Sequence, residues 1–126
     1  MNIIGKTIVK IQHDITRNGM HGNEGSVFTL DDGSVVGMFH YQDCCESVNI
    51  EETQGDEDNI IGSPITYVSD EEVESSNPEA TYDEDSFTIT HITIRTNKGS
   101  VTYIWHGSSN GYYGEGVSFE ELENNN

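Results

Sequence analysis

Hydrophobic and polar residues alternate along most of the chain, which is the pattern of β-strands with one solvent-exposed face. Between Thr7 and Ile15, for example, Val9, Ile11 and Ile15 are expected on one face and polar side chains on the other. The chain has 13 Ile and 9 Val but only 2 Leu and 1 Ala, a composition that favours strand over helix. The pattern therefore predicts a mainly β protein, with an α+β fold as the alternative.

A hairpin is predicted around Asp31-Asp32-Gly33, because Asp-Gly tolerates the positive φ that a short turn requires. Its strands are residues 26–30 and 34–41, and the second strand is expected to continue to Ile50. The polar residues 51–59 then interrupt the pattern. This hairpin is the strongest local prediction for the first half of the chain.

The middle of the chain carries weaker signals. A short helical turn is expected before Pro64, followed by an edge strand over residues 66–69. Asp70 to Asp85 is acidic and polar and contains Pro78, so it is predicted to be a long solvated loop.

Three strands of a meander are predicted for the C-terminal part, with turns at 97–99 and 108–111. In the second strand the pattern places three large side chains on one face: Val101, Tyr103 and Trp105. In the first strand the hydrophobic positions change face once: Phe87, Ile89, Ile92 and Ile94. One extra residue at Thr90-His91 would reconcile them, which predicts a β-bulge.

The length of 126 residues fits one domain with one hydrophobic core. We expect a single small antiparallel β domain over residues 1–120, with at most one or two short helical turns, and a polar tail over residues 121–126. Leu, Ile, Val and Phe together make 28 of the 126 residues, about 22%. This fraction is just above the roughly 20% below which a highly charged chain is expected to stay disordered. The chain is therefore expected to fold.

The charge excludes several functions. With Lys+Arg 5 against Asp+Glu 23, the formal net charge is −18. Five dispersed cations cannot neutralise a phosphate backbone, so direct nucleic-acid binding is excluded, and anionic lipid surfaces are repelled. No hydrophobic run approaches the roughly 20 residues of a membrane helix, and the start of the sequence lacks the features of a signal peptide. We expect a cytoplasmic protein with reduced thiols, since a disulfide between the adjacent Cys44 and Cys45 would need a strained turn.

The acidic residues are segregated along the sequence. Between Arg17 and Arg95 there are eighteen acids and no Lys or Arg. Carboxylates at alternate strand positions lie about 7 Å apart, a spacing comparable to that of neighbouring phosphates. Such a surface can mimic nucleic acid and occupy a basic groove, and the alternative is an acidic face that only confers solubility. The candidate partner-binding carboxylates are Glu51, Glu52, Asp56, Glu57, Asp58, Asp70, Glu71, Glu72, Glu74, Asp83, Glu84 and Asp85.

A second candidate region combines imidazole, thiol and carboxylate groups within seven residues, from His40 to Glu46. On a regular strand at most three of these groups share a face, which falls short of a tetrahedral zinc site. The neighbouring acids disfavour a thiolate nucleophile, and the acidic runs lack the EF-hand spacing. We therefore expect no catalytic residue, no metal and no cofactor, and two small buried thiols. A small-ligand site is the alternative, with the candidate residues His40, Asp43, Cys44, Cys45, Glu46 and Asn110.

A third candidate region is the turn from Trp105 to Glu115, which mixes glycines with aromatic residues. Tyr and Trp supply large contact areas at protein interfaces, so Tyr112 and Tyr113 are candidate anchors for a partner. The alternative is that Asn110-Gly111 only closes a hairpin.

Three blocks of the sequence resemble a family of small, uncharacterised proteins of tailed phages and their bacterial hosts, a domain of unknown function. The blocks are HYQDCCESVNI (40–50), IIGSPI (60–65) and GSVTYIWHGSSNGYYGEGVSF (99–119), of which DCCE and SNGYY are the most specific words. The resemblance implies a phage or prophage setting in the host bacterial cytoplasm. It implies no mechanism.

The charge pattern and the implied setting together lead to one hypothesis. The chain is expected to be a monomeric, non-enzymatic, anti-CRISPR-like inhibitor that mimics nucleic acid in the basic groove of a host enzyme, with a CRISPR effector nuclease as the first class of partner. The alternatives are a protein that sequesters a small ligand or a nucleotide, and a small structural metal-binding protein.

Overall fold

The structure, a computed structural model, describes residues 2–17, 20, 23–42, 45–76, 86–109 and 114–122. These residues form eight β-strands and one 3₁₀ turn. The strands are β1 (Ile8–Ile15), β2 (Gly25–Leu30), β3 (Val35–Phe39), β4 (Ser47–Gln54), β5 (Ile65–Ser76), β6 (Ser86–Thr96), β7 (Gly99–Ser109) and β8 (Ser118–Leu122), and the 3₁₀ turn is Glu57–Asn59. The mainly β prediction is confirmed.

The strands form two four-stranded antiparallel sheets. The order in sheet 1 is β1-β2-β3-β8, and the order in sheet 2 is β4-β7-β6-β5. The sheets pack face to face around one core to which both contribute, as in a β-sandwich. Phe28 of sheet 1 meets Tyr103 of sheet 2 edge to face, with ring centroids 5.8 Å apart.

Sheet 1 is buried on both faces in its centre. Along β3, the residues Val36 and Met38 point into the main core, whereas Val35 and Phe39 join Met20 in a smaller cluster on the opposite face. The residues of β2 and β3 are accordingly almost continuously buried, and those of β3 are hydrophobic apart from Gly37. The predicted hairpin between them is confirmed, and Gly33 in its turn has a φ of 87°.

The predicted bulge at Thr90-His91 is wrong. The pairing of β6 with β7 runs without a shift from Ser86↔Ser109 to Thr96↔Gly99. Phe87 and Ile89 therefore lie on the outer face of sheet 2, opposite to the buried Ile92 and Ile94. The irregularity lies in the neighbouring strand, where the β5 register shifts between Glu72 and Glu74. The face shared by Val101, Tyr103 and Trp105 is confirmed, since all three are buried.

The prediction of a long acidic loop is wrong for residues 70–76, which belong to β5 and pair with β6. Strand β5 is an edge strand, and its acidic residues are exposed. It therefore lacks the hydrophobic alternation that marks a half-buried strand. The rest of the predicted loop, residues 77–85, lies outside the described residues.

Two predicted connections are also wrong, because the chain changes sheets where the pattern suggested continuity. Strand β3 ends at Phe39 in sheet 1, and β4 begins at Ser47 in sheet 2. Strand β8 pairs with β3, so it is not the third strand of a meander with β6 and β7. Strand β8 also continues to Leu122, which is buried, and so includes the first two residues of the predicted polar tail.

Val9 is exposed while Ile8 is buried, because the β1–β2 register shifts between Ile8 and Lys10. In the described part of the chain, no helix has the length and hydrophobicity that crossing a membrane requires.

Gly25 provides a test of the packing between β2 and β3. A Cβ at this position would lie 2.4 Å from the carbonyl oxygen of Met38 and 2.7 Å from the Cβ of Phe39. We expect Gly25→Ala to lower the free energy of unfolding by about 2 kcal/mol, measured by urea denaturation, because the backbone must move. The matched control is Gly114→Ala, since a Cβ there meets no atom of the described residues within 4 Å, and it should change stability by less than about 0.5 kcal/mol. Equal stability of the two variants would contradict the packing described here.

Candidate functional site

Eight of the exposed acidic residues lie on the two opposite edge strands of sheet 2 or in the turn that follows β4. Strands β4 and β5 are the outer strands of this sheet, with β7 and β6 between them. Neighbouring strands are about 4.8 Å apart, so the two edges are separated by about 14 Å. The β4 acidic edge consists of Glu51, Glu52, Asp56 and Asp58, and the β5 acidic edge consists of Asp70, Glu71, Glu72 and Glu74. The predicted acids Asp83, Glu84 and Asp85 lie outside the described residues.

The β5 acidic edge presents carboxylates on both faces of the strand. Glu71 pairs with His91, which lies on the outer face, whereas Asp70 pairs with the buried Ile92 and therefore points to the inner side. Partial desolvation and the neighbouring Glu72 carboxylate raise the pKa of Asp70 above its usual value. Desolvation is the larger cause of this shift, and the negative charge of Glu72 adds to it.

The β4 acidic edge follows a bulge and a turn. The register of β4 against β7 shifts between Ile50 and Glu52, which sets Glu51 out of the regular pairing. After β4 ends, the Asp56 carboxylate caps the 3₁₀ turn by accepting a hydrogen bond from the Asp58 backbone N–H at 3.0 Å.

The outer face of sheet 2 between the two edges carries no acidic side chain. It is formed by β6 and β7, whose outward residues are Phe87, Ile89, His91, Thr93, Arg95, Ser100, Thr102, Ile104, His106 and Ser108. Thr93 and Thr102 are hydrogen-bonded through their hydroxyls at 2.9 Å, and the rings of Phe87 and His106 stack with centroids 6.1 Å apart. The result is a hydroxyl-rich strip between two acidic edges.

Three of the five cations contact groups other than these carboxylates. Lys6 pairs with Asp32 of the β2–β3 turn at 2.9 Å, and Lys98 donates to the Ile61 carbonyl. The Arg95 guanidinium lies over the Tyr67 ring, 4.7 Å from its centroid. Within the described ranges, no ion pair involves an acidic residue of β4 or β5. Both acidic edges therefore keep their charge uncompensated.

Glu57 differs from the other predicted partner-binding acids because its carboxylate turns toward the space between the sheets. Its Oε2 accepts hydrogen bonds from the Tyr103 hydroxyl at 2.5 Å and from His13 Nε2 at 2.8 Å. A carboxylate only accepts, so His13 carries a proton on Nε2, and Nδ1 faces the Ser26 hydroxyl at 2.6 Å. Burial and the bond to Glu57 raise the pKa of Tyr103 well above its usual value. This chain of contacts ties β1, β2 and β7 to the 3₁₀ turn.

The second candidate region is built around a buried histidine and carboxylate. His40 Nε2 lies 2.9 Å from Glu46 Oε2, and Nδ1 donates to the Gly116 carbonyl at 2.6 Å. Gln42 donates to both the backbone and the side chain of Glu46. Next to Gly116, the buried Glu115 carboxylate accepts hydrogen bonds from the hydroxyls of Thr88 and Ser109. Buried polar contacts thus join the segment that begins at His40 to the segment that precedes β8.

Cys45 is disulfide-bonded, which contradicts the expectation of free thiols. The other predicted residues of this region lie outside the described residues: Asp43, Cys44, Asn110, Tyr112 and Tyr113. No group of three or more His, Cys, Asp or Glu side chains with a geometry for metal binding is found in the part of the chain that the structure describes.

A cleft of about 570 Å³ lies between the two sheets, beside β1, β2, β4 and β7. Its lining residues are His13, Asp14, Glu24, Gly25, Ser26, Val48, Asn49, Ile50, Thr53 and Trp105. Sequence reasoning missed this site, because its residues come from four separate strands and their flanking turns and form no motif. The single Trp of the chain was the one signal available.

Comparison with known proteins gives a family but no function. A family model described as "Domain of unknown function (DUF7448)" matches residues 1–119. No curated protein and no solved structure matches the chain.

The contact between Tyr103 and Glu57 predicts a dependence on alkaline pH. The raised pKa of Tyr103 means that its neutral form is favoured in the folded state. This stabilisation is therefore complete below about pH 10 and is lost as the pH rises further, because the unfolded protein then releases the proton more readily. Tyr103→Phe should lower the free energy of unfolding by about 1 kcal/mol at pH 7 and should flatten its decrease above about pH 10.

The control for this prediction is Tyr67→Phe, which removes the hydroxyl of an exposed tyrosine and keeps the ring under Arg95. Its unfolding free energy, measured by urea denaturation between pH 7 and 11, should follow that of the parent. If Tyr103→Phe showed the same alkaline decrease as the parent, the hydrogen bond would not have the role assigned to it.

Proposed function

We propose that this chain, which belongs to the DUF7448 family, is a non-enzymatic inhibitor that occupies the basic groove of a nucleic-acid enzyme in place of the nucleic acid. The observation that carries the proposal is the placement of eight exposed carboxylates on the two edge strands of sheet 2 and in the turn after β4, with no Lys or Arg between Arg17 and Arg95 in the sequence. An acidic face that served only solubility would not need this separation of charges.

The spacing of the carboxylates supports mimicry of a nucleic-acid backbone. Along β5, alternate residues are about 7 Å apart, and β4 lies about 14 Å from β5 across the sheet. Negative charges on both sides of a strip without acids have the general layout of two phosphate backbones flanking a groove. A basic channel shaped for nucleic acid would meet both rows, and the strip of Thr and His side chains would face its floor.

Mutual repulsion also favours a cationic partner. The raised pKa of Asp70 reflects partial desolvation and the proximity of Glu72, so these charges are held close together at an energetic cost. A groove lined by Arg and Lys would relieve that repulsion on binding. Long-range attraction between the −18 protein and such a groove would also speed association, and this attraction weakens as salt is added.

The resemblance to phage and prophage proteins supports a host defence enzyme as the partner. Among host enzymes with basic nucleic-acid channels, CRISPR effector nucleases are the first class to test. The predicted anchors Tyr112 and Tyr113 and the acids Asp83, Glu84 and Asp85 would extend the contact surface. The protein is expected to act as a monomer, since the acidic edges of two copies repel each other.

The test is inhibition of purified CRISPR effector nucleases by the parent protein and by charge variants, followed as cleavage of a labelled substrate. The test variant is Glu71→Gln/Glu72→Gln/Glu74→Gln, which removes three charges from the β5 acidic edge. The control is Asp31→Asn/Glu120→Gln/Glu121→Gln, which removes three charges from sheet 1 and its hairpin turn. The amide oxygens of the control variant keep acceptors for the Thr7 N–H at position 31 and for the Tyr41 hydroxyl at position 120.

We expect the β5 variant to raise the inhibition constant at least tenfold and the control to change it less than threefold, because the β5 acidic edge enters the groove and the sheet 1 carboxylates do not. Reversal of the whole β5 acidic edge, Asp70→Lys/Glu71→Lys/Glu72→Lys/Glu74→Lys, should abolish inhibition. Circular dichroism and urea denaturation establish that each variant is folded. Equal losses in the β5 and sheet 1 variants would show that only net charge matters, and full inhibition by the reversed variant would refute mimicry.

A further inference from the structure

His40 and Glu46 form a buried pair of titratable groups that the proposed inhibition does not use. The side chain of His40 is 7% exposed, and that of Glu46 is 0% exposed. His40 directly follows β3 in sheet 1, and Glu46 directly precedes β4 in sheet 2. The pair therefore lies where the chain passes from one sheet to the other.

Both ring nitrogens of His40 face oxygen acceptors. Nδ1 lies 2.6 Å from the carbonyl oxygen of Gly116, and Nε2 lies 2.9 Å from Glu46 Oε2. A carbonyl oxygen has no proton to give, so the proton in the first contact belongs to Nδ1. The other oxygen of Glu46, Oε1, accepts a hydrogen bond from the Gln42 amide at 3.1 Å. Donors at both oxygens suit a carboxylate, and a carboxylate requires that Nε2 of His40 also carries a proton.

His40 is also the cation that neutralises Glu46. In the described ranges, no ion pair joins this carboxylate to Lys or Arg. Glu115, in the segment before β8, directs its carboxylate to hydroxyl groups on β6 and β7, and the Tyr41 hydroxyl donates to Glu120. A buried carboxylate is costly unless it is paired with a positive charge, and an imidazolium at His40 supplies that charge.

His13 shows why the second acceptor matters. Its Nε2 also faces a carboxylate, Glu57 Oε2, at 2.8 Å, but its Nδ1 faces the Ser26 hydroxyl at 2.6 Å. A hydroxyl can donate as well as accept, so a neutral His13 ring satisfies both contacts. At His40 both partners only accept, and a neutral ring would leave one of them without a donor. The two His–Glu contacts therefore differ in the number of protons that they require.

We propose that His40 is held as an imidazolium in the folded protein and acts as a proton-dependent clamp between residues 40–46 and residues 114–117. The doubly protonated ring donates to both Glu46 and Gly116. After the ring loses one proton, the remaining N–H stays with the carboxylate, because hydrogen bonds to ionised groups are the stronger ones. The contact with Gly116 is then lost, and the segment that leads into β8 is released from His40. This clamp does not depend on inhibition of a nucleic-acid enzyme.

The direction of the pH dependence follows from the protons that each state binds. A histidine in an unfolded chain releases its second proton near pH 6.5, whereas the clamp requires the folded protein to keep it. The stabilisation by the clamp is therefore complete below about pH 6.5 and is lost as the pH rises. While only the folded state keeps the proton, the unfolding equilibrium constant increases about tenfold for each pH unit.

The experiment compares the unfolding equilibrium constants of the parent, Glu46→Gln and Glu57→Gln at pH 6 and pH 8, measured by urea denaturation. A glutamine amide at position 46 can donate to Nε2, so a neutral His40 ring then satisfies both contacts. Between pH 6 and pH 8, we expect the constant of the parent to rise by a factor at least five times larger than the factor for Glu46→Gln.

Glu57→Gln is the matched control, because it makes the same substitution at the His13 contact and keeps an amide oxygen to accept from Tyr103. Its rise between pH 6 and pH 8 should equal that of the parent within twofold. Equal pH dependence in the parent and Glu46→Gln, or the same flattening in both variants, would overturn the proposal.

NMR spectra of the parent test the clamp without any substitution. Long-range ¹H–¹⁵N spectra should show both ring nitrogens of His40 protonated at pH 7.5, where an ordinary histidine is mostly neutral. The backbone ¹⁵N shift of Val117, whose peptide group contains the Gly116 carbonyl, should change together with the His40 ring as the pH is raised further. A neutral His40 ring at pH 7.5, or loss of its proton with no change at Val117, would overturn the proposal.

Discussion

Packing of the inner faces of the two sheets is the interaction on which the rest of the structure depends. Tyr103 lies at its centre, fully buried, with Phe28 of sheet 1 against its ring and the Glu57 carboxylate at its hydroxyl. Because the core is formed between sheet faces, the edge strands β4 and β5 are left to carry the charge. The same arrangement leaves a cleft between the two sheets, beside β1 and β4. The core, the acidic edges and the cleft are therefore consequences of one packing arrangement.

The acidic edges also solve a structural problem. An exposed edge strand can pair with another chain, and natural proteins commonly prevent this with charged side chains. Strand β5 has twelve residues, so an uncharged version would be a long site for unwanted pairing. Carboxylates on β5 therefore serve solubility as well as the proposed recognition. Their placement opposite a second acidic edge, across a face without acids, is the feature that solubility does not require.

The sequence predicted the parts of the fold that are governed by local chemistry. Asp32-Gly33 marked the β2–β3 hairpin, and the alternation of Val101, Tyr103 and Trp105 marked the buried face of β7. It could not predict that β4 lies in a different sheet from β3, or that β8 lies in a different sheet from β7. A change of sheet depends on packing between segments that are distant in the sequence. Strand β5 was predicted as a loop from residue 70 because an edge strand exposed on both faces has no hydrophobic period.

The candidate sites were predictable to different degrees. The acidic residues were identified from charge alone, but their division between two edges depends on the strand order of sheet 2, which no local pattern contains. Glu57 was grouped with the partner-binding acids, and only the structure shows its contacts with Tyr103 and His13. The cleft joins Asp14, Glu24 and Trp105, which are too far apart in the sequence to form a recognisable motif.

The central claim is that this protein and a nucleic acid occupy the same groove, and an equilibrium competition measures this most directly. The affinity of the fluorescently labelled protein for an inhibited nuclease would be determined at increasing concentrations of that enzyme's own guide or substrate nucleic acid. Our account predicts that the apparent Kd rises in proportion to the nucleic-acid concentration and that no ternary complex forms. A Kd that stays constant while both bind together would contradict it.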